Sequence, residues 1–275
     1  MSFSLKRRLL CAGLLALAAF AIPAKSQAGT LEDVKKKGVI VVGIQGDNAP
    51  WGYVDSKGVQ QGFDSSMGEL FAQYLGVKVE FVPLAVANRI PALTTGRVDI
   101  LFATMGMYPD RAKAVQFSKP YATNDIVLDA PKGTPIKTME DLSKYTVGVA
   151  RASAQDTTIT KAAPASTNIR RFDDDASTIQ AMLSGQIDAI GGNQFYILRL
   201  EEGKPGAFEH KLRFFRQYNG ASTRLGEKEW NATVNTFIDQ IKGNGDLEKV
   251  YQKWMGFAAP TEWPASMDGI PYTVQ

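Results

Sequence analysis

Two patterns of apolar and polar positions alternate along the chain. Short apolar runs typical of buried strands occur at VIVVGI (39–44), VKVEFV (77–82) and DILFAT (99–104). Between these runs, SSMGELFAQYL (65–75) and NRIPALTTG (88–96) carry apolar residues at helical spacing. This alternation predicts α/β units built on a mostly parallel sheet.

The segment 65–75 has the clearest helical period. Asp64 is placed to cap the start of this helix, and Gly76 is placed to end it. The apolar positions share one face and predict ordinary core packing for Met67, Leu70, Phe71, Tyr74 and Leu75.

An internal repeat is the most informative pattern. IPALTTGRVDILFAT (90–104) and IQAMLSGQIDAIGGN (179–193) align without gaps. Each predicts a helix ended by glycine, a tight turn with an aspartate, and a strand. A chance match is one interpretation, and two lobes of like construction is the other. On the second, Thr104 and Asn193 lie at the carboxyl ends of equivalent strands, where open α/β sheets bind ligands.

Two extended segments, YATNDIVLDA (121–130) and RFFRQYNGAST (213–223), are the predicted connections between the lobes. A pair of strands that joins two lobes is a natural hinge. Two crossings imply that the C-terminal helices return to the first lobe. The predicted boundaries are lobe 1 at 29–122, lobe 2 at 123–218 and a return segment of lobe 1 at 219–275.

The N-terminal residues 1–28 have the features of a secretory signal peptide. A basic cluster at Lys6–Arg8 precedes an apolar run from Leu9 to Ile22, and small residues lie before Gly29. The apolar run is about 14 residues, whereas a bilayer-spanning helix needs roughly 20. We therefore expect a periplasmic chain without direct membrane insertion. Cys11, the only cysteine, would be lost with the leader, so no disulfide is expected.

Charge and composition narrow the possible partners. The formal net charge is +3, and the leader holds four basic residues and no acid, so the exported form carries about −1. A nucleic-acid or anionic-membrane partner therefore has no electrostatic support. His210 is the only histidine, and without thiols neither a metal site nor a cofactor is predicted.

The order of several motifs adds a family resemblance. APWGYVDSKGVQQGFD (49–64), MYPDRAKAVQFSKPY (107–121), KYTVGVARASAQD (144–156) and GDLEKVYQKWMG (245–256) stand in the order found in bacterial extracellular solute-binding proteins of family 3. The chain resembles this family over nearly its whole exported length. The resemblance implies a two-lobed type II periplasmic-binding-protein fold, each lobe a mostly parallel sheet flanked by helices, with two hinge crossings.

The resemblance also implies a function. Such a protein is a monomer that closes two lobes on an amino acid or related small carboxylate. It then delivers the ligand to the membrane permease of an ABC importer.

The resemblance assigns the ligand carboxylate to Arg111, which matches the family's arginine after a Pro-Glu or Pro-Asp pair. A guanidinium presents parallel donors to both carboxylate oxygens. A solvated surface charge is the alternative interpretation. In the same motif, the Thr104 hydroxyl or carbonyl would meet the ligand amino group, and the Gly106 N–H would meet the carboxylate.

Across the predicted cleft, Ser153 and Asp156 form an S-x-x-D capping box. The amides of Ser153 and Ala154 would open a helix, and a helix N-terminus favours an anion. The family usually has Gly-Ser-Thr or Gly-Thr-Thr here, so this chain keeps the backbone donors but loses a hydroxyl.

Departures from the family limit what can be said about the ligand. Asn193 stands where family members commonly place an aspartate for the α-ammonium. Either an acid elsewhere, such as Asp47, supplies that charge, or the ligand amine is absent, substituted or weakly bound. The aromatic pair of basic-amino-acid binders is replaced by Asn48 and Val86, so a smaller or polar carboxylate is favoured over arginine or lysine.

Three further residues have open roles. Trp51 either lines the pocket or packs in the core, and Gln45 is a candidate polar rim residue at the end of the first strand. Arg89 is either a second anion contact or a solvated helix end.

An enzyme on the same scaffold, such as a secreted dehydratase, is the alternative function. It would need a positioned acid or base, and the candidates are Asp47, Asp156 and Asp173 to Asp175. The chain has no G-x-S-x-G, phosphate-loop or H-E-x-x-H motif, so we expect no enzyme. A sensory binding module would need the same closure and is not distinguished.

Overall fold

The structure, a computed structural model, describes residues 30–274. The predicted signal peptide lies outside the described residues. The helices are α1 (Thr30–Lys37), α2 (Phe63–Leu75), α3 (Arg89–Thr94), α4 (Pro109–Ala112), α5 (Ala154–Ala162), α6 (Asp175–Leu183), α7 (Tyr196–Gly203), α8 (Lys228–Gly243) and α9 (Asp246–Met255), with 3₁₀ turns at Val86–Asn88 and Glu140–Lys144. The strands are β1 (Val39–Ile44), β2 (Asp47–Asn48), β3 (Gly52–Val54), β4 (Gln60–Gln61), β5 (Lys78–Pro83), β6 (Ile100–Leu101), β7 (Gln116–Pro131), β8 (Thr146–Ala150), β9 (Asn168–Phe172), β10 (Ala189–Asn193) and β11 (Phe208–Thr223).

Eight strands form one sheet in the order β5-β1-β6-β11-β7-β10-β8-β9, and β2, β3 and β4 form a small second sheet. In lobe 1, β1 runs parallel to β5 and β6. In lobe 2, β8 runs parallel to β10 and β9. The predicted mostly parallel α/β architecture is therefore confirmed.

The two long strands β7 and β11 connect the lobes. They are antiparallel over their whole length, each 16 residues long, which corresponds to about 50 Å of extended chain. The C-terminal end of β11 pairs with β6 of lobe 1. The C-terminal half of β7 pairs with β10 of lobe 2. Both predicted hinge crossings are therefore strands shared by the two lobes. The boundaries at 122 and 218 stay a prediction, because each strand is continuous across its boundary.

The internal repeat corresponds to two equivalent turns. Gly96 of the first segment has a φ of 74°, and Gly185 of the second segment has a φ of 73°. The Asp99 N–H donates to Val41 O over 2.8 Å, and the Asp99 carboxylate accepts the Val41 N–H over 2.8 Å. Asp188 makes the same two bonds to Thr146, at 2.8 and 2.7 Å. The same aspartate thus fastens the helix-strand turn to a neighbouring parallel strand in both lobes.

The C-terminal helices pack on lobe 1, as two crossings require. Trp230 and Phe237 of α8 are buried, and their rings lie 5.3 and 4.9 Å from that of Phe71 on α2. Tyr251 of α9 belongs to the same buried cluster. Lobe 2 has separate apolar clusters, so each lobe has a core of its own.

The start of α2 differs from the prediction. The helix begins at Phe63 with Gly62 as its N-cap, and no side chain caps it. Asp64 is fully buried and points to the ends of β1 and β6, so it does not cap the helix. The predicted C-cap is confirmed, since Gly76 has a φ of 72°.

Within residues 30–274, no helix combines the length and the hydropathy needed to cross a membrane.

Candidate functional site

A cavity of about 40 Å³ lies between the lobes, at the carboxyl ends of the parallel strands of both. Its lining residues are Gln45, Asn48, Val86, Arg89, Thr104, Arg111, Asn124, Ile126, Ser153, Ala154, Gln155, Asp175, Asn193 and Gln217. Open α/β sheets bind ligands at this position. Ligand pockets usually have volumes of roughly 300 Å³ or more, so a ligand of amino-acid size enters this cavity only when the lobes separate.

Arg111 joins the two lobes at one end of the cavity. Its Nη1 donates to Gly106 O in lobe 1, and its Nη2 donates to Ala152 O in lobe 2, both over 3.1 Å. The guanidinium carbon lies 5.2 Å from the centre of the Tyr108 ring. Burial lowers the pKa of Arg111 to about 10, which leaves the group charged at neutral pH.

Gly106 does not line the cavity but contacts Arg111. The hydrogen bonds of its bridge to β11 are made by the N–H groups of Met107 and Gly220. The N–H and C=O of Gly106 itself therefore point to the opposite side, where the Arg111 guanidinium binds the carbonyl. A Cβ at this position would lie 2.3 Å from Gln217 Oε1, which leaves no space for a side chain.

The N-terminus of α5 forms the wall across from lobe 1. Ser153 Oγ accepts the Asp156 N–H over 3.1 Å, and Asp156 Oδ2 accepts the Ala152 N–H over 3.0 Å. The predicted N-cap bond of Ser153 is confirmed, whereas the return bond of Asp156 goes to Ala152, one residue before the N-cap. Ser153 and Ala154 both line the cavity, so the positive end of the helix dipole faces it.

Two residues at this cleft have strained backbones. Thr104 and Ala152 have φ values of 49° and 61°, and they are the non-glycine residues with a positive φ in the described chain. Such strain is characteristic of functional sites, where surrounding contacts hold it. At Thr104 the hydroxyl donates to Asp64 Oδ2 over 3.0 Å. At Ala152 the conformation accompanies the carbonyl contact with Arg111.

Asn193 lies at the cavity end of β10, the position equivalent to that of Thr104 after β6. Its Oδ1 accepts the N–H of Phe195 over 3.0 Å. The amide oxygen is therefore committed to a local turn, which leaves Asn193 a weak acceptor for a ligand cation.

Gln45 is a central residue of the site and not a rim residue, because it is 2% exposed. Its Nε2 donates to Asp47, and it also donates to Asp175 Oδ2 in lobe 2 over 2.8 Å. Its Oε1 accepts a hydrogen bond from Arg89. One side chain thus connects both lobes.

Arg89 lies in the interior of the cleft and is not a solvated helix end. It is 2% exposed, and its Nε also donates to Leu84 O over 3.4 Å. Burial raises the pKa of Asp64 to about 7, and the positive charge of Arg89 opposes that shift.

Asp175, at the first turn of α6, is the acid that lines the cavity. It is 4% exposed, and its carboxylate accepts from Tyr196 OH as well as from Gln45. Burial first, and the charge of Asp47 second, raise the pKa of Asp175 to about 6. Asp47 itself accepts the N–H of Ala176 over 3.0 Å, which is a second bond between the lobes.

Trp51 is a predicted ligand residue that the structure places away from the cavity. It is fully buried in the core of lobe 1, outside the cavity lining. Its ring packs edge-on against Phe63 at 5.3 Å and against Phe195 at 5.9 Å. The core interpretation of Trp51 is correct, because the chain after β2 turns the indole inward.

The hinge strands form a polar part of the cavity that sequence reasoning missed. Asn124 Oδ1 on β7 accepts from Gln217 over 3.1 Å and from Asn219 over 2.8 Å, both on β11. The Tyr108 hydroxyl donates to Gln217 Oε1. The sequence signal that could have identified this part of the cavity is the presence of polar residues within the two otherwise apolar segments that connect the lobes.

Among residues 30–274, no group of three or more histidine, cysteine, aspartate or glutamate side chains is arranged to hold a metal ion.

Comparison with known proteins agrees with this architecture. Residues 40–257 match the family described as bacterial extracellular solute-binding proteins, family 3. The L-cystine-binding protein TcyJ of Escherichia coli (strain K12) is 27% identical over 243 residues, covering 87% of this chain and 91% of that protein. The ABC transporter glutamine-binding protein GlnH of Bacillus subtilis (strain 168) is 28% identical over 236 residues, covering 84% and 86%.

Among solved structures, a solute receptor for L-cysteine of Neisseria gonorrhoeae is 31% identical, covers 82% of this chain and 93% of its own, and superposes with a TM-score of 0.77. This similarity confirms the predicted two-lobed fold.

Proposed function

Since the chain belongs to family 3 of the bacterial extracellular solute-binding proteins, we propose that it binds an amino acid or a related small carboxylate between its lobes. We further propose that it acts in the periplasm and delivers this ligand to the permease of an ABC importer. The observation that carries the proposal is Arg111, a charged side chain on the cavity wall with contacts to both lobes.

Three features around Arg111 support the binding of a carboxylate. The guanidinium has five N–H donors, and two of them serve Gly106 and Ala152, so three are available to a ligand. The N–H of Gly106 points to the same side as its carbonyl, toward Arg111. The N-terminus of α5, with Ser153, adds a favourable dipole from lobe 2.

Closure follows from this arrangement. Donors from both lobes surround a carboxylate only when the lobes meet, so the ligand has a higher affinity for the closed form and shifts the population toward it. A permease that recognises the closed form would then receive loaded protein. L-Cystine and glutamine are the ligands named for two relatives, so these two amino acids are the first candidates here.

We propose binding without catalysis. Asp64 and Asp156 do not line the cavity, and the carboxylate of Asp175, which does, accepts hydrogen bonds from Gln45 and Tyr196. An acid of the dehydratase type would have to face the substrate with its proton free to transfer. Incubation with prephenate should leave the substrate unchanged, and product formation would favour the enzyme.

The proposed function is tested by a thermal-shift screen of the exported chain, residues 29–275, against amino acids and small carboxylates. A ligand that binds only the folded protein raises the unfolding midpoint by mass action. We expect at least one amino acid to do so, and the radius of gyration in solution scattering to fall when it is added. If no compound shifts the midpoint or the radius, the proposed function is wrong.

A further inference from the structure

We infer that the cationic nitrogen of the ligand is bound between Asn48 of lobe 1 and Asp175 of lobe 2, and not by Asn193. This inference rests on the proposed function and names the chemistry of a second subsite, which accepts a protonated amine. The subsite is complete only when the lobes are closed, because its two acceptors come from opposite sides of the cleft.

The contacts of Gln45 show which acid a ligand can meet. Its Nε2 donates to carboxylate oxygens of both Asp47 and Asp175. Arg89 holds the other end of this amide by donating to Oε1, which turns Nε2 toward the carboxylates. The amide therefore fills the space between the two acids. Asp175 lines the cavity and Asp47 does not, so the carboxylate that a ligand ammonium meets is that of Asp175.

A separate observation at Asn48 indicates a hydrogen-bond donor on the ligand. Asn48 lines the cavity and is 2% exposed, yet no group of the described residues donates to its Oδ1. A buried acceptor without a donor costs about 1–3 kcal/mol. An ammonium with three N–H groups can serve the Asp175 carboxylate and this oxygen together.

The balance of charge at this end of the cavity also favours a cation. Arg89 is the positive side chain that interacts with both Asp64 and Asp175. Asp175 is also repelled by Asp47, which is the second largest influence on its pKa. A ligand cation beside Asp175 offsets this repulsion.

Asn193 is a poor alternative for the same role. Its Oδ1 already accepts the N–H of Phe195, and its amide carries no charge. A charge-assisted hydrogen bond is roughly twice as strong as a neutral one. Asp175 therefore takes over the anionic role that the family's aspartate would have at position 193.

The test compares ligands that differ only in an amine, measured by calorimetric titration. L-Glutamine against glutaramate probes an α-amine, and L-lysine against L-norleucine probes an amine on the side chain. In the wild type we expect the amine-bearing member of at least one pair to bind more tightly. In Asp175→Asn we expect its affinity to fall about 30-fold or more, while its partner without the amine is unaffected.

Asp173→Asn is the matched control, since this neighbouring acid is 92% exposed, and it should bind like the wild type. Unfolding midpoints without ligand verify that Asp175→Asn is folded. An Asp175→Asn protein that keeps the wild-type preference for the amine, or loses both members of a pair equally, would overturn the inference. If Arg111→Ala abolishes binding in that case, the proposed function still holds. If none of the four compounds binds the wild type, the inference is overturned, and only a blank wider screen would also overturn the proposed function.

Discussion

Replacing Arg111 by lysine tests whether the carboxylate is bound by a fork of two donors. Lysine keeps the positive charge but presents one ammonium with three N–H donors. The carbonyl oxygens of Gly106 and Ala152, which Arg111 contacts now, compete with the ligand for these donors. At most one strong bond to the ligand carboxylate would remain.

The expected loss follows from the number of bonds. A hydrogen bond to a charged group contributes about 1.5–3 kcal/mol, so the loss of one carboxylate contact should weaken binding by about 10-fold to 150-fold. Arg111→Ala removes both contacts and the bridge between the lobes, so its loss should be larger than that of Arg111→Lys. The guanidinium is charged at neutral pH, because the pKa of Arg111 is about 10.

The assay is calorimetric titration with the amino acid found in the screen. Lys113→Ala is the matched control, because this nearby cation is 77% exposed and pairs with Asp110 at the surface. Equal affinity in the wild type and Arg111→Lys would refute the fork. Equal affinity in the wild type and Arg111→Ala would refute the assignment of the carboxylate to this residue.

Two further predictions concern stability. His210 pairs with the buried Asp129, and that hydrogen bond raises the pKa of His210 above 6.5. This pair therefore stabilises the folded protein fully below pH 6.5 and loses its contribution as the pH rises through the folded-state pKa of His210. The free energy of unfolding measured in urea should decline between pH 6 and 8, and His210→Gln should reduce that decline. An unchanged decline in the variant would contradict this prediction. Trp51→Ala should lower the free energy of unfolding by about 3–5 kcal/mol without changing which amino acids bind, and an altered ligand preference would return Trp51 to the site.

The order of the helices and strands could be predicted from the amino-acid sequence. Periodicity depends on neighbours along the chain, so the helix-strand rhythm, the repeated aspartate turn and the glycine at the end of α2 could be read directly. The crossings were found for the same reason, since long extended segments without helical spacing are a local signal. Arg111 came from its resemblance to a family motif, and the structure places it at the cavity.

The contacts between side chains from distant segments could not be predicted from the sequence, because they depend on three-dimensional packing. Gln45, Arg89 and Asp175 follow different strands. From the sequence, Gln45 was a candidate rim residue, Arg89 was a second anion contact or a solvated helix end, and Asp175 was a candidate acid of the alternative enzyme. Strand order and lobe closure bring them within hydrogen-bond distance, and burial then changes their chemistry. Local pattern cannot report burial between two lobes, because that depends on which surfaces meet when the hinge closes.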